Sequence, residues 1–121
     1  MEITGAAVRG LHPNIMGLGP VEAVKVLMKK YHKKISDFDS IELNEAFAAQ
    51  ALGCIKALEL DPLKVNPNGG AIAIGHALGN SGTRLVTTLA HQMKKNKKIN
   101  EALATMCIGV GQGIAVSFKN C

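Results

Sequence analysis

The sequence has no tryptophan, one tyrosine and three phenylalanines. Its core must therefore be built from aliphatic side chains and alanine rather than stacked rings. Charged segments without interleaved aromatics also lack the platforms on which single-stranded bases stack. There are three cysteines and no CxxC spacing, which argues against a disulfide framework or a zinc site and favours a reducing compartment. No apolar run approaches the roughly 20 residues of a membrane span. The first residues, MEITGAAVRGLHPN, show no basic segment leading into an apolar stretch. No secretory leader is read there, and the expected location is the cytoplasm. Neither GxxxxGK[ST] nor GxGxxG nor HExxH occurs. GVGQG has the wrong spacing and runs into a strand, so phosphate loops and the metalloprotease helix drop out, and no metal ligand set is assigned.

What is present is a 121-residue chain, 47% hydrophobic, with 13 glycines and a net charge of +5. That length suits one domain. The charge is local. Lys29, Lys30, Lys33 and Lys34 form one cluster and Lys94, Lys95, Lys97 and Lys98 the other. Each falls at the C-terminal end of an expected helix, where cations complement the dipole. The clusters therefore read as solvated helix ends, with attraction for an anionic, nucleotide-bearing substrate as the alternative.

Residues 2–9 suit a first strand. Pro20 suits the first turn of a helix over 20–33, with Val21, Val24, Leu27, Met28 and Tyr31 on one face. A short strand is expected at 40–43. A second helix over 45–59 groups Phe47, Ala51, Cys54, Ile55 and Leu58, making Cys54 a packing residue. Asn80 or Ser81 can cap a third helix to about Lys95, with Leu85, Val86, Leu89 and Met93 inward. Strands at 102–108 and 113–119 close the chain, the second alternating Ile114, Val116 and Phe118 against Ala115 and Ser117. With the glycine-rich stretch 66–84 counted as a further strand, the order is β-α-β-α-β-α-β-β. The expectation is an α/β domain with a mixed five-stranded sheet covered by helices.

Chemistry concentrates in two glycine-rich stretches. NPNGGAIAIGHALGNSGTR (66–84) holds His76, and ATMCIGVGQGIAVSF (104–118) holds Cys107. An imidazole can take a proton from a thiol or donate to a developing oxyanion. Alternatively, His76 caps or packs, and Cys107 is an inert strand cysteine. Asn44 stands at a strand-to-helix junction, either capping the helix or directing its amide into a cleft where it orients a water. Glu45 beside it fits first-turn dipole stabilisation equally well.

Four blocks together resemble the C-terminal half of the thiolases, the acetyl-CoA acetyltransferases and 3-ketoacyl-CoA thiolases. They are MGLGPVEAVKVL (16–27), ELNEAFAAQAL (42–52), KVNPNGGAIAIGHALGNSGTR (64–84) and CIGVGQGIAV (107–116). The resemblance covers nearly the whole chain and implies a thiolase-like half over 1–121. It implies acyl transfer between acyl-CoA and acetyl-CoA, with coenzyme A thioesters as substrates and no further cofactor. His76 matches the histidine that activates the nucleophilic cysteine and helps form an oxyanion hole. Cys107 matches the acid/base that moves the α-proton. Asn44 matches the asparagine that holds a water in the first oxyanion hole, and Gly109 the glycine whose N–H lies at the second. Ala77 replaces a usual proline, KVNPNGG replaces the commoner KVNVNGG, and Asn80 stands where alanine or glycine is frequent. In thiolases the acyl-carrying cysteine and most of the coenzyme A loop domain lie in the N-terminal half. Neither Cys54 nor Cys121 is placed to replace that cysteine, so this chain alone is expected to be inactive or nearly so. The implied partners are an N-terminal half and other copies of the protein, with no nucleic acid or membrane. The alternative is a non-catalytic assembly half. A β-ketoacyl synthase relative fits the NEAF and CIGVGQG blocks less well, and retention of Asn44, His76 and Cys107 argues against the lipid-carrier branch.

Overall fold

In the computed structural model, which describes all 121 residues, a single mixed sheet separates two helical layers. Strand β1 (Glu2–Gly10) leads through a short 3₁₀ segment to helix α1 (Gly19–Tyr31), then strand β2 (Ser40–Leu43) and helix α2 (Ala48–Ala57). A single helical turn, α3 (Ala71–Ile74), and helix α4 (Ser81–Lys95) precede strands β3 (Glu101–Ile108) and β4 (Gln112–Lys119). The strand order is β1-β4-β3-β2, with β2 parallel to β3 and the other pairs antiparallel.

Side-chain alternation along the strands divides the core. Ala7, Ile41, Leu43, Leu103 and Ala115 project to one face, under Val21, Val24 and Leu27 of α1 and Ala51 and Cys54 of α2. Ala102, Ala104 and Phe118 project to the other, under Leu85, Leu89 and Met93 of α4. Apolar residues spaced three and four apart on each helix supply the matching stripe. Helix α1 lies unusually close to the sheet because Gly19 and Gly113 face each other. A Cβ built on either would collide with the other's neighbouring backbone. No helix is long and apolar enough to cross a membrane.

The α/β class holds, but the sheet has four strands rather than five. The glycine-rich stretch is not a strand. Val65 makes only an isolated bridge to Ile41, and the chain then turns through Asn66 and Gly69 into α3. Pro67 and the Gly69–Gly70 pair deprive that segment of a ladder donor and of side chains to pack. Helix α2 also starts later than expected. Phe47 is extended (φ −149°, ψ 146°) and 63% exposed, so it falls outside the helix's inward stripe.

Candidate active site

The site lies at the C-terminal ends of the parallel pair β2 and β3, where open α/β sheets commonly present a crevice. One residue beyond β2, Asn44 donates its backbone N–H to the Thr105 carbonyl (3.0 Å), so the ladder continues through it and its side chain is fully buried. This excludes the capping role. Helix α2 begins after Phe47, and Gln50 Oε1, not Asn44, accepts the Ala46 N–H (3.1 Å). Glu45 does not serve the first turn of α2 either. Its carboxylate accepts from Asn66 Nδ2 (3.0 Å) and the Ile72 N–H (2.9 Å), tying the glycine-rich loop to the end of β2.

That loop delivers His76. Gly75, at φ +95°, ends α3 in a conformation that side chains resist and turns the chain so that the imidazole faces Asn44. Asn44 Nδ2 lies 3.4 Å from His76 Nε2, and His76 Nδ1 lies 2.6 Å from Ser81 Oγ. Ser81 begins α4 and also donates to the Ala77 carbonyl (3.1 Å). The helix is therefore entered at Asn80 without a side-chain cap, and the serine is committed to the histidine turn.

Cys107, near the end of β3, is 7% exposed, and burial pushes its thiol up from the ordinary value. His76, Cys107 and Gly109 share the wall of one cavity of about 390 Å³, completed by Met16, Phe47 and Leu78. No hydrogen bond joins Cys107 to His76; an open space separates groups that face a common volume. Gly109 borders it from the exposed turn between β3 and β4, where nothing lies within 4 Å of a would-be Cβ. Cys54 does not line this cavity. It is fully buried, donates to the Gly17 carbonyl (3.3 Å), and is pushed to a higher pKa by burial. Cys121 is exposed at the chain end.

Behind the expected residues stands a second layer that motif reading did not single out. Arg84 donates to Asn44 Oδ1 (3.4 Å) and pairs with the buried Glu42 (3.9 Å). Gln92 donates to Glu42 (2.8 Å) and accepts from Ser40 (2.7 Å). Burial raises the Glu42 carboxyl above its ordinary range, while the Gln92 bond and the Arg84 charge pull it back. The signal was there. Ser40, Glu42 and Asn44 alternate with Ile41 and Leu43 along β2, and Ser81, Arg84 and Gln92 recur on one stripe of α4. Both strings are polar faces aimed at each other.

Fold and site define an α/β domain in which a histidine bonded to a buried asparagine shares one cavity with a cysteine. The family model described as "Thiolase, C-terminal domain" matches residues 1–120. The β-ketoadipyl-CoA thiolase of Pseudomonas aeruginosa is 53% identical over 119 residues, 97% of this chain and 29% of that protein. The 3-ketoacyl-CoA thiolase of Klebsiella pneumoniae is 54% identical over 121 residues, 97% of this chain and 31% of that protein. The crystal structure of human mitochondrial 3-ketoacyl-CoA thiolase superposes with a TM-score of 0.95 at 45% identity, covering 98% of this chain and 30% of that one. A crystal structure of the same human enzyme in complex with CoA aligns equally well. The chain belongs to the thiolase family and corresponds to its C-terminal domain. It spans about three tenths of the length of the curated relatives it matches.

Proposed function

We propose that the chain supplies the C-terminal half of an acyl-CoA C-acyltransferase, transferring acyl groups between acyl-CoA and acetyl-CoA by Claisen condensation or thiolysis. The observation that carries this reading is the meeting of His76, Cys107 and Gly109 around one cavity, with Asn44 bonded to the imidazole. The Cys107 thiol first gives its proton to the coenzyme A sulfur that leaves as the acyl group moves onto the N-terminal half, and in the condensing direction the resulting thiolate takes an α-proton from acetyl-CoA. The resulting carbanion attacks the acyl thioester on a cysteine of the N-terminal half, and that sulfur leaves with the proton held by His76. The Gly109 N–H and a water held by Asn44 face the oxygens that become anionic. Coenzyme A thioesters are the substrates, no further cofactor enters, and the setting is the cytoplasm.

Exposed apolar side chains on the segments that carry the site favour a protein partner there. Phe47 and Leu78 line the cavity, Ile72 and Ile74 stand on the turn that leads to His76, and Val110 follows Gly109; all five are at least 63% exposed. Because the chain matches only three tenths of its relatives, the partner we assign to these side chains is the N-terminal thiolase half. The deciding experiment grafts residues 1–121 in place of the matching segment of the Pseudomonas aeruginosa relative and follows acetoacetyl-CoA thiolysis. The graft should be active, and His76→Ala or Cys107→Ala should each lower kcat by about 10²–10⁴-fold. A folded graft without thiolysis, or thiolysis indifferent to both substitutions, overturns the assignment.

A further inference from the structure

We propose that Arg84 is a positioning residue that fixes which nitrogen of His76 carries the proton. This role rests on the acyl-transfer reading and follows from which groups donate and which accept. Arginine can only donate. The Asn44 side-chain atom beside Arg84 must therefore be the amide oxygen, 3.4 Å away, and this turns the amide NH₂ toward His76. A donor at 3.4 Å requires His76 Nε2 to be the acceptor, without a proton. In the neutral ring the proton then sits on Nδ1, which donates across 2.6 Å to Ser81 Oγ. The serine hydroxyl, having accepted, sends its own hydrogen to the Ala77 carbonyl at 3.1 Å. Every bond in the series runs the same way, from Arg84 through Asn44, His76 and Ser81 to Ala77.

Burial makes this polarity hard to reverse. Asn44 is fully buried and cannot turn its amide over against water. Glu42, also fully buried, holds the guanidinium with one carboxylate oxygen that has no hydrogen-bond partner, while the other accepts from Gln92, whose own amide oxygen accepts from Ser40. The result leaves His76 Nε2 with its lone pair toward the amide, on the ring edge away from Ser81. It is the nitrogen able to take up a proton, so the tautomer suits a base before any substrate arrives.

Long-range ¹H–¹⁵N correlation spectra of the 121-residue chain, recorded with the ring neutral, read the tautomer directly and need no activity. In the natural sequence the Nδ1–H form should dominate. Arg84→Met frees the Asn44 amide to flip, and the tautomer ratio should shift toward Nε2–H by about tenfold, the effect of one lost bond to a charged donor. Arg84→Lys keeps a donor and should retain the Nδ1–H form. Should the methionine variant not fold, Arg84→Ala serves, because it likewise removes every donor beside the Asn44 amide oxygen. An Nε2–H ring in the natural sequence overturns the proposal, as does an unchanged ratio in a folded Arg84→Met or Arg84→Ala chain. Failure of the thiolysis graft leaves this spectroscopic result untouched, so the two readings fail separately.

Discussion

Glu42 spends its hydrogen-bonding capacity unevenly, and its titration should show it. Burial raises its pKa above the ordinary value of 4.5, so the folded chain binds this proton more tightly than the unfolded chain. Its contribution to stability is present below that ordinary value and is lost as pH rises through the raised one. Denaturant midpoints from about pH 4 to about pH 8 should show Glu42→Gln gaining on the natural sequence as pH rises, and a constant difference would refute the sign. At Cys107 the same cause has a kinetic consequence. Attack by an alkylating reagent needs thiolate, and burial both withholds the sulfur and keeps it protonated. Mass spectrometry after brief iodoacetamide treatment at neutral pH should find Cys121 modified first, with Cys54 and Cys107 following slowly.

Two turns carry element-scale tests. Val110, in the loop Gly109–Val110–Gly111 between β3 and β4, has φ +68° and is 84% exposed. A β-branched residue is strained there and packs against little. Val110→Asn should raise the unfolding free energy by about 1 kcal/mol, read from denaturant melts. Gly113→Ala should lower it by about 2–3 kcal/mol or prevent folding, because the new methyl enters the backbone of Gly19 on α1. The regular elements were legible because their signals are local. The strand at 40–43 falls where expected, and Cys54 packs where the stripe on α2 put it. The segment 66–80 was not legible as structure, because its conformation is set by the Glu45 carboxylate and by the bonds of Asn66 to the end of β2, which no periodicity announces. The same holds in the site. Asn44, His76 and Cys107 stand out by motif, whereas Arg84 acquires its place only when α4 is laid against β2.

At the scale of the whole molecule, exposed apolar side chains on the segments that carry the site predict association. Sedimentation of the isolated chain should give a mass above its 12.7 kDa monomer, and the N-terminal segment of a relative should displace that self-association. A clean monomer indifferent to the added segment would remove the case for a partner surface. The sheet margins set a limit on how such self-association can grow. Along β2 the outer margin is already occupied. The Asn66 side chain donates to the Leu43 carbonyl (2.8 Å) and accepts its N–H (2.9 Å), copying a strand's own amide, while the Asn66 backbone serves Ile41. Strand β1 at the opposite margin exposes Ile3 and Val8, and the one side-chain bond to its main chain comes from the Tyr31 hydroxyl to the Ala6 carbonyl (3.4 Å). A particle that can accept a neighbouring strand on one side only can pair margin to margin and then stop, whereas two open margins would permit a fibre. One asparagine, by imitating main chain, makes chain-to-chain strand growth a terminating event.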